Sequence, residues 1–326
     1  MDNCLDPAIR RALPEGSVVL SISQHGRTNW AQGLKLETES PSPRKADNRR
    51  EKKAYFIKVT TRNRALEMAR GEFESHKAMH IYTPENTTRP IAAGPLETNP
   101  SHAFFMTEFR HPDPEKRPSP MELAMILRKL HNSSISSVDS RGRFGFPVTT
   151  FKGYVPLDNS WTDSWEEWFT RQFKLDVKFE QSVRGPDPEM DNELLEEFCK
   201  KVIPRLLRPL QTEGRAIKPC FVHTDIWHGN VHFDRESEVP IVFDALELEM
   251  FHHPRYGWGP EYLQAYIDLM PASEPKDDFE DRVALYAMRN YIVSAGLWDH
   301  WAYMRGVVKE EMKRLLAKYP NGYTRK

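Results

Sequence analysis

The chain has 326 residues, of which 39% are hydrophobic and 29% are charged, and its formal net charge is -1. This composition excludes a disordered chain, and the near-neutral charge gives no reason to expect nucleic acid or an anionic membrane as a partner. The three cysteines are scattered and odd in number, which does not suit a disulfide framework. There is no signal-peptide pattern and no apolar run of membrane-spanning length, so we expect a cytoplasmic protein.

The first predicted elements are two strands, residues 17–24 and 30–36, joined by a polar turn at residues 25–29. In a kinase such a turn covers the phosphates of ATP with backbone N–H groups, which makes Gly26 a candidate nucleotide-binding residue. Taken alone, a single glycine fits an ordinary hairpin turn better. Residues 37–53 are polar and charged apart from one alanine, and they predict a solvated loop before the next strand.

A lysine lies inside the next predicted strand, Tyr55–Val59. Most strand lysines are solvated, but a kinase needs one here to pair the α- and β-phosphates of ATP, held in turn by a helix glutamate. A helix is predicted over about residues 65–80, and Glu72 lies beside its apolar stripe. We therefore predict that Glu72 is the partner of Lys58, the alternative being a surface glutamate.

The apolar strand at residues 103–109 ends in a charged stretch that two prolines then break. A kinase chain changes lobes at such a point, and hinge backbone groups bind adenine. Glu108, Phe109 and Arg110 are therefore candidate nucleotide-binding residues. Because a proline-broken linker marks a boundary, we place the domain boundary near Phe109.

Helices dominate the rest of the chain. Ser119, Pro120 and Glu122 predict a helix start with a capping box. His131, at the end of that helix, is predicted to be packed rather than to bind a ligand. An aromatic stripe at helical spacing predicts a core face, formed by Trp161, Trp165, Trp168 and Phe169. Further helices are predicted over residues 189–212, with a kink or restart at Pro204, and over 259–270, 277–297 and 307–318.

The most informative stretch is residues 221–231, which predicts strand, loop and strand, followed by another apolar strand that ends at Asp244. A His-x-Asp group, an asparagine five residues after the Asp, and a second Asp after the next strand have the spacing of a kinase catalytic loop and its metal-binding residue. Asp225 is suited to accept the proton of an attacking hydroxyl. Asn230 and Asp244 offer the hard oxygen ligands that Mg2+ prefers. A polar hairpin loop is the alternative for the loop alone, and Asp244 argues against it.

This order of elements predicts an α+β, two-lobed protein-kinase-like fold with its site in a cleft. Residues 1–109 would form a small N-terminal ATP-binding lobe with an antiparallel sheet and one helix. Residues 110–326 would form a larger, mostly helical lobe with the catalytic loop, the metal-binding loop and the substrate site.

Three stretches resemble the fructosamine/ketosamine-3-kinase family, which belongs to the aminoglycoside-phosphotransferase group of kinase-like folds, in the form of its fungal members. They are Ile57–Val59 with Arg70–Ser75, then Phe144–Thr150 running on to Trp165, and finally His223–Asn230 with Phe243 and Asp244. The second stretch is not a general kinase feature and therefore narrows the family. The likeness covers about residues 15 to 318.

The resemblance implies transfer of the γ-phosphate of ATP to the 3-hydroxyl of a ketosamine, a sugar-derived adduct on an amine such as a lysine side chain. The phosphorylated adduct then falls apart and frees the amine, which is deglycation. ATP and Mg2+ would be the cofactors, and ketosamine small molecules or glycated proteins the partners, with no nucleic acid or membrane. The oligomeric state is left open.

Carried over residue by residue, the resemblance makes Asp225 the catalytic base and makes Asn230 and Asp244 the Mg2+ ligands. It gives Lys58 and Glu72 the phosphate-side roles described above. The same likeness places Trp227, together with His223, at the sugar site, where an indole face suits the apolar face of a sugar ring. Packing within the loop is the alternative for Trp227.

The chain departs from the family pattern at Thr224, where glycine is usual, and in the shorter segment at residues 250–258. The second departure concerns substrate choice and the efficiency of turnover, not the residues on the ATP side. Two alternatives therefore stay open. One is a phosphotransferase of the same fold for an aminoglycoside or choline-type compound, and the other is a non-catalytic nucleotide-binding pseudokinase.

Overall fold

The computed structural model describes residues 5–42, 49–135, 142–222, 229–243 and 258–324. The chain divides into two compact units, each built from separate segments. Unit 1 consists of residues 1–130, 148–156 and 221–246, and unit 2 of residues 131–147, 157–220 and 247–326. The lobe boundary near Phe109 stays a prediction.

Unit 1 contains a five-stranded antiparallel sheet with the strand order β1-β2-β3-β5-β4. The strands are β1 (Val18–Arg27), β2 (Ala31–Pro41), β3 (Arg50–Thr60), β4 (Pro90–Pro95) and β5 (Ala103–Glu108). Successive strand side chains point to opposite faces, so each face can pack against a different helix. On one face Leu36, Ile57 and Met106 are fully buried together with Ile9 of the short helix α1 (Pro7–Arg11).

The other face of the sheet packs against α2 (Ala65–Tyr82). Ala65 and Ala69 of this helix form one buried cluster with Ala103 and Phe105 of β5. The alternation along β5 explains this, since Phe104 and Met106 belong to the cluster on the first face. The predicted helix and its apolar stripe are confirmed.

The predicted loop over residues 37–53 is wrong for the part that the structure describes. Here β2 and β3 continue as a paired ladder on either side of residues 43–48, which lie outside the described ranges. Thr38 and Ser40 are buried on one face, while Glu39 and Arg50 form an ion pair at 3.1 Å. Cross-strand pairs of this kind stabilise the outer part of the ladder, residues 37–41 with 50–54, which has almost no apolar residues.

Two smaller sheets complete unit 1. One has the order β10-β9-β6 and the other pairs β7 with β8. Their strands are β6 (Pro112–Asp113), β7 (Phe151–Lys152), β8 (Val155–Pro156), β9 (Val231–Asp234) and β10 (Pro240–Val242). β9 and β10 confirm the two strands predicted around the second hairpin. The strand predicted at Phe221 and Val222 is wrong, because β9 already has neighbours on both edges and Thr87 bridges β10.

The remaining helices lie in unit 2, except that most of the first belongs to unit 1. They are α3 (Pro120–Ser134), α4 (Trp165–Arg184), α5 (Leu195–Glu197), α6 (Ile203–Leu207), α7 (Pro260–Leu269), α8 (Phe279–Leu297) and α9 (Met304–Lys318). A π-helical turn at Phe198–Val202 precedes α6. Pro204 lacks an N–H for the i to i−4 pattern, and the helix changes from π to α type just before it, while Val202 and Ile203 keep helical backbone angles. The predicted kink or restart at Pro204 stays a prediction.

Local signals at helix ends are also confirmed. The Ser119 backbone N–H donates to Glu122 Oε2 at 2.8 Å and the Glu122 N–H donates to Ser119 Oγ at 3.3 Å, which together form the predicted capping box. His131 is buried and its Nδ1 lies 2.8 Å from the hydroxyl oxygen of Tyr266. Ser164 caps α4, so Trp161 precedes the helix and only the later members of the aromatic stripe lie on it.

No helix among the described residues has the length and apolar character that a membrane crossing requires.

Candidate functional site

Lys58 and Glu72 lie next to each other in unit 1. The Lys58 ammonium donates to Glu72 Oε1 at 2.5 Å, and the two side chains are 15% and 22% exposed. Lys58 stands on β3, which has β2 on one side and β5 on the other, so the usual role of a lysine that protects a sheet edge does not apply. The structure forms the predicted pair, while its role toward ATP stays a prediction.

Gly71, the residue before Glu72, lies inside helix α2, where a glycine weakens the helix. A close contact explains why a glycine is needed at this point. A Cβ at Gly71 would lie 2.7 Å from the carbonyl oxygen of Thr149, so only glycine lets the segment at residues 148–156 cross the helix here. Two of the stretches that carry the family resemblance therefore meet beside Glu72.

The β7–β8 hairpin contacts the turn between β1 and β2. The ring of Tyr154 lies 6.1 Å from that of Trp30, and the Arg62 guanidinium lies 5.0 Å from the Tyr154 ring centre. Arg62 also donates to the carbonyl oxygen of Asn29 at 3.4 Å. The hairpin thus supports the turn that the sequence predicts to cover phosphates.

Gly26 does not lie in that turn, which corrects the prediction of a turn at residues 25–29. It lies within β1 with φ +89°, where the register with β2 shifts by one residue, so it forms part of a β-bulge. The turn itself is centred on residues 28–30, where Thr28 Oγ1 accepts from the N–H of Ala31 at 3.0 Å. The nucleotide-binding role of Gly26 stays a prediction.

Sequence reasoning missed Gly33, which makes the bulge possible. A Cβ at Gly33 would collide with the carbonyl oxygen of His25 on the neighbouring strand. A glycine inside a predicted strand is the signal that could have indicated such a close approach.

The predicted hinge residues follow directly on β5. The N–H groups of Glu108 and Phe109 donate to the carbonyl oxygens of Arg89 and Ala54, at 3.0 and 2.9 Å. These two N–H groups are therefore used within the sheet. The Glu108 carbonyl oxygen accepts from the Thr107 hydroxyl at 3.0 Å. The nucleotide-binding role of Glu108, Phe109 and Arg110 stays a prediction.

Arg110 links the hinge to the end of β9. Its guanidinium lies 3.1 Å from Glu108 Oε1 and 3.6 Å from Asp234 Oδ2, and the N–H of His111 donates to Asp234 Oδ1 at 2.8 Å. Burial alone would raise the pKa of Asp234, but hydrogen bonds from Ser237 and His111 and the charge of Arg110 hold it below its ordinary value. Asp234 is thus a charged residue that holds Arg110 and His111 at the end of β9. Sequence reasoning missed it, and the only signal for it was its position at the end of a predicted strand.

Asn230 is 9% exposed and directly precedes β9. Its carbonyl oxygen accepts from the N–H of Phe243 at 2.8 Å, and Phe243 is the residue before Asp244. The two segments that the sequence predicts to supply Mg2+ ligands are therefore joined by a backbone hydrogen bond. An amide oxygen and a carboxylate fit Mg2+, and the described ranges hold no competing group of three or more His, Cys, Asp or Glu side chains that could bind a metal.

The other predicted site residues lie outside the described residues: His223, Asp225, Trp227 and Asp244. The same holds for the departing segment at residues 250–258, apart from Trp258. The catalytic, substrate and second metal-ligand roles therefore stay predictions.

Known proteins are similar to this chain in sequence and in fold. A chloroplastic protein-ribulosamine 3-kinase of Oryza sativa subsp. indica is 27% identical over 248 residues, which are 73% of this chain and 66% of the rice protein. A solved candidate fructosamine-3-kinase from Thermobifida fusca YX-ER1 has a TM-score of 0.68 at 17% identity and covers 95% of this chain and 98% of its own.

A solved aminoglycoside phosphotransferase, in ternary complex with AMP-PNP and hygromycin B, has a TM-score of 0.55 at 11% identity and covers 92% of this chain and 94% of its own. At such identities these two structures show the fold, and the predicted kinase-like fold is confirmed. The model of the fructosamine kinase family matches residues 43–318, which is most of the chain, and the chain therefore belongs to that family.

Proposed function

We propose that the protein is an ATP- and Mg2+-dependent ketosamine 3-kinase, acting on fructosamine or ribulosamine adducts of amines. The observation that carries this proposal is the Lys58–Glu72 pair at 2.5 Å, formed between strand β3 and helix α2 of a chain that belongs to this family. In kinases such a pair must be in place before the lysine can orient the triphosphate. The names of the rice relative and of the Thermobifida structure support the same acceptor class.

On the nucleotide side, Lys58 holds the α- and β-phosphates and Glu72 holds Lys58. The stretch from Glu108 to Arg110 faces the adenine through backbone groups, and Gly26 belongs to the hairpin over the phosphates. Residues 1–109 form the ATP-binding lobe in this proposal, and residues 110–326 carry the acceptor side.

The metal is assigned to Asn230 and Asp244. Bound there, Mg2+ supplies positive charge that offsets the charge on the transferring phosphoryl group. The hydrogen bond from Phe243 to Asn230 supports this assignment, because it keeps the two ligand-bearing segments adjacent.

On the acceptor side, Asp225 accepts the proton of the 3-hydroxyl while that oxygen attacks the γ-phosphorus. The new oxygen–phosphorus bond forms as the bond to the β-phosphate oxygen breaks, and ADP leaves. Trp227 and His223 line the sugar site. The ketosamine 3-phosphate then decomposes and frees the amine, so the cellular role is deglycation of small amines or proteins in the cytoplasm, without nucleic acid or membrane partners.

The test is an assay of ADP release with free and protein-bound fructosamine and ribulosamine, an aminoglycoside and choline as separate acceptors, with phosphorus NMR of the product and calorimetry of Mg-ATP binding. We expect ATP consumption that depends on the ketosamine and a phosphate on its 3-oxygen. Phosphate on an aminoglycoside or choline instead would favour the first alternative. Binding of Mg-ATP without turnover of any acceptor would favour a pseudokinase.

The variant Asp225→Ala separates chemistry from binding. General-base contributions are on the order of 10²- to 10⁴-fold, so we expect turnover to fall by that factor while ATP affinity is kept. Retained turnover would contradict the assignment of Asp225 as the base.

A further inference from the structure

The segment at residues 148–156 contacts two parts of unit 1 that the proposed function uses. At one end it crosses helix α2 beside Glu72, where the carbonyl oxygen of Thr149 would lie 2.7 Å from a Cβ at Gly71. At the other end it forms the β7–β8 hairpin, which reaches the turn between β1 and β2. The segment therefore connects the helix that carries Glu72 with the turn assigned to the phosphates.

A tight turn places Tyr154 at the tip of this hairpin. β7 and β8 pair through Lys152 and Val155, so only Gly153 and Tyr154 connect the two strands. Gly153 has φ +62°, a value that glycine adopts without a steric penalty and that two-residue hairpin turns require. The Gly153-Tyr154 pair thus puts an aromatic ring at the end of the hairpin that points away from α2's close contact with Thr149.

The Tyr154 ring contacts the β1–β2 turn directly and through an arginine. Its centre lies 6.1 Å from that of Trp30 with the two planes at 64°, which is an edge-to-face arrangement. The Arg62 guanidinium lies over the same ring at 5.0 Å, a cation–π distance, and donates to the carbonyl oxygen of Asn29 at 3.4 Å. Asn29 and Trp30 both belong to the turn, so one ring holds it at two neighbouring residues.

The backbone bonds of the turn fix its shape and one of its two ends. The N–H of Thr28 donates to the carbonyl oxygen of Ala31 at 2.8 Å, and β2 continues from Ala31 in its ladder with β3. The other end leads into β1, an edge strand whose register with β2 shifts between Gln24 and Arg27. Because a bulged strand bends more than a regular one, the ladders alone allow this end of the turn to lift, and contacts from outside the sheet decide its position.

We propose that Tyr154 is a positioning residue, which holds the β1–β2 turn in place over the phosphates of the bound nucleotide. This inference rests on the proposed function, because it takes the turn to cover the triphosphate. The base is assigned to the hinge residues, so binding of the nucleoside part should not depend on Tyr154. An edge-to-face pair and a cation–π contact together correspond to a factor of about ten in an equilibrium constant.

The test compares Tyr154→Ala with Phe151→Ala in the full-length protein and uses two ligands, AMP-PNP with Mg2+ and adenosine. Phe151 is the matched control, because its ring belongs to the same hairpin and lies 5.2 Å from the guanidinium of Arg64, which pairs with Glu67. The readout is the Kd of each ligand, measured by calorimetry. We expect the Kd of AMP-PNP to rise by about tenfold in Tyr154→Ala and by less than about twofold in Phe151→Ala, and that of adenosine to change by less than about twofold in both.

Two further measurements separate the ring from general packing. Tyr154→Phe keeps the ring that both contacts use, so its Kd for AMP-PNP should stay within about twofold of the unaltered value. In hydrogen exchange we expect the amides of Thr28 and Thr61, which bond within the turn and at its junction with β3, to lose protection in Tyr154→Ala and to keep it in Phe151→Ala. If Tyr154→Ala does not fold, Tyr154→Leu, which keeps apolar volume without a ring, takes its place with the same expectations.

Equal losses in Tyr154→Ala and Phe151→Ala, or equal losses for AMP-PNP and adenosine, would show that the hairpin acts through packing alone and would overturn the role of Tyr154. Unaltered protein that binds AMP-PNP no more tightly than adenosine would overturn it too. Failure of the proposed function looks different, because it is the lack of ketosamine phosphorylation by the unaltered protein. A loss for AMP-PNP alone, in Tyr154→Ala alone, supports the inference whichever acceptor the enzyme uses.

Discussion

Each unit contains an ion pair that is largely shielded from solvent, and the two pairs differ in the exposed fractions of their side chains. In unit 1 Lys58 and Glu72 are 2.5 Å apart and remain 15% and 22% exposed. In unit 2 Arg289 and Asp176 are 2.7 Å apart and only 4% and 2% exposed. The distances are similar, so burial rather than bond length distinguishes the pairs.

Their surroundings explain the difference. Arg289 and Asp176 lie on α8 and α4, and the Arg289 guanidinium lies 5.2 Å from the ring centre of Trp168 and 5.9 Å from that of Phe169. Lys58 lies on a strand and reaches a helix glutamate, with part of its surface open to solvent. A phosphate can therefore reach Lys58 but not Arg289, so we infer that the first pair serves binding and the second serves the fold.

The largest effect is expected from breaking the enclosed pair. Asp176→Ala leaves the Arg289 charge buried without its carboxylate, which should lower the free energy of unfolding by about 3–5 kcal/mol. Urea unfolding followed by circular dichroism measures this change. Glu310→Ala, which removes an exposed carboxylate paired with Lys313 on α9, is the control and should leave the unfolding midpoint nearly unchanged.

The comparison also requires that the folded fraction of Asp176→Ala keeps its catalytic constants. A specific loss of kcat in fully folded protein would show that the enclosed pair takes part in the reaction, and the proposed division between binding and fold would be wrong.

Breaking the partly open pair should act on catalysis. Lys58→Met removes a donor to the phosphates, and the loss of one such electrostatic donor costs on the order of 10²- to 10³-fold in rate, or about 3–4 kcal/mol. Steady-state measurement of kcat/KM for ATP checks this result. Lys53→Met is a matched control on the same strand, because Lys53 is 41% exposed and pairs loosely with Glu51 at 3.8 Å.

If Lys58→Met and Lys53→Met kept the same kcat/KM, Lys58 could not be the lysine that orients the triphosphate. A loss confined to Lys58→Met, with little change in the unfolding midpoint, would confirm that the partly open pair acts in binding.

How far the sequence predicts these features depends on how local their causes are. The Lys58–Glu72 pair was predictable because the kinase pattern calls for a strand lysine held by a helix glutamate, and helical periodicity places Glu72 beside the apolar stripe. The capping box at Ser119 is decided within four residues. The β-bulge at Gly26 was not predictable, because it depends on the backbone of a neighbouring strand. The hydrogen bond from the Asn86 side-chain amide to the carbonyl oxygen of Pro240 was not predictable either, since the two residues lie 154 positions apart in the chain.

The smallest of the expected effects concerns His131. Its side chain is buried like the Arg289–Asp176 pair, but its imidazole is neutral, whereas the members of that pair are charged. Burial lowers the pKa of His131 from 6.5 to about 4. In the unfolded chain the imidazole gains a proton near pH 6.5, whereas in the folded chain it stays neutral down to about pH 4. Between these values the unfolded state binds more protons, so acidification favours unfolding. At pH 5 this effect should lower the free energy of unfolding by about 2 kcal/mol relative to pH 7.

His131→Gln is the variant that isolates this contribution, because glutamine does not titrate and its amide keeps hydrogen-bonding capacity toward the Tyr266 hydroxyl. Urea unfolding at pH 5, 6 and 7 should show a weaker pH dependence in the variant, by about 2 kcal/mol over this range. An identical pH dependence in both proteins would show that solvent reaches His131 and that it is protonated in the folded state. The claim that burial keeps this imidazole neutral would then be wrong.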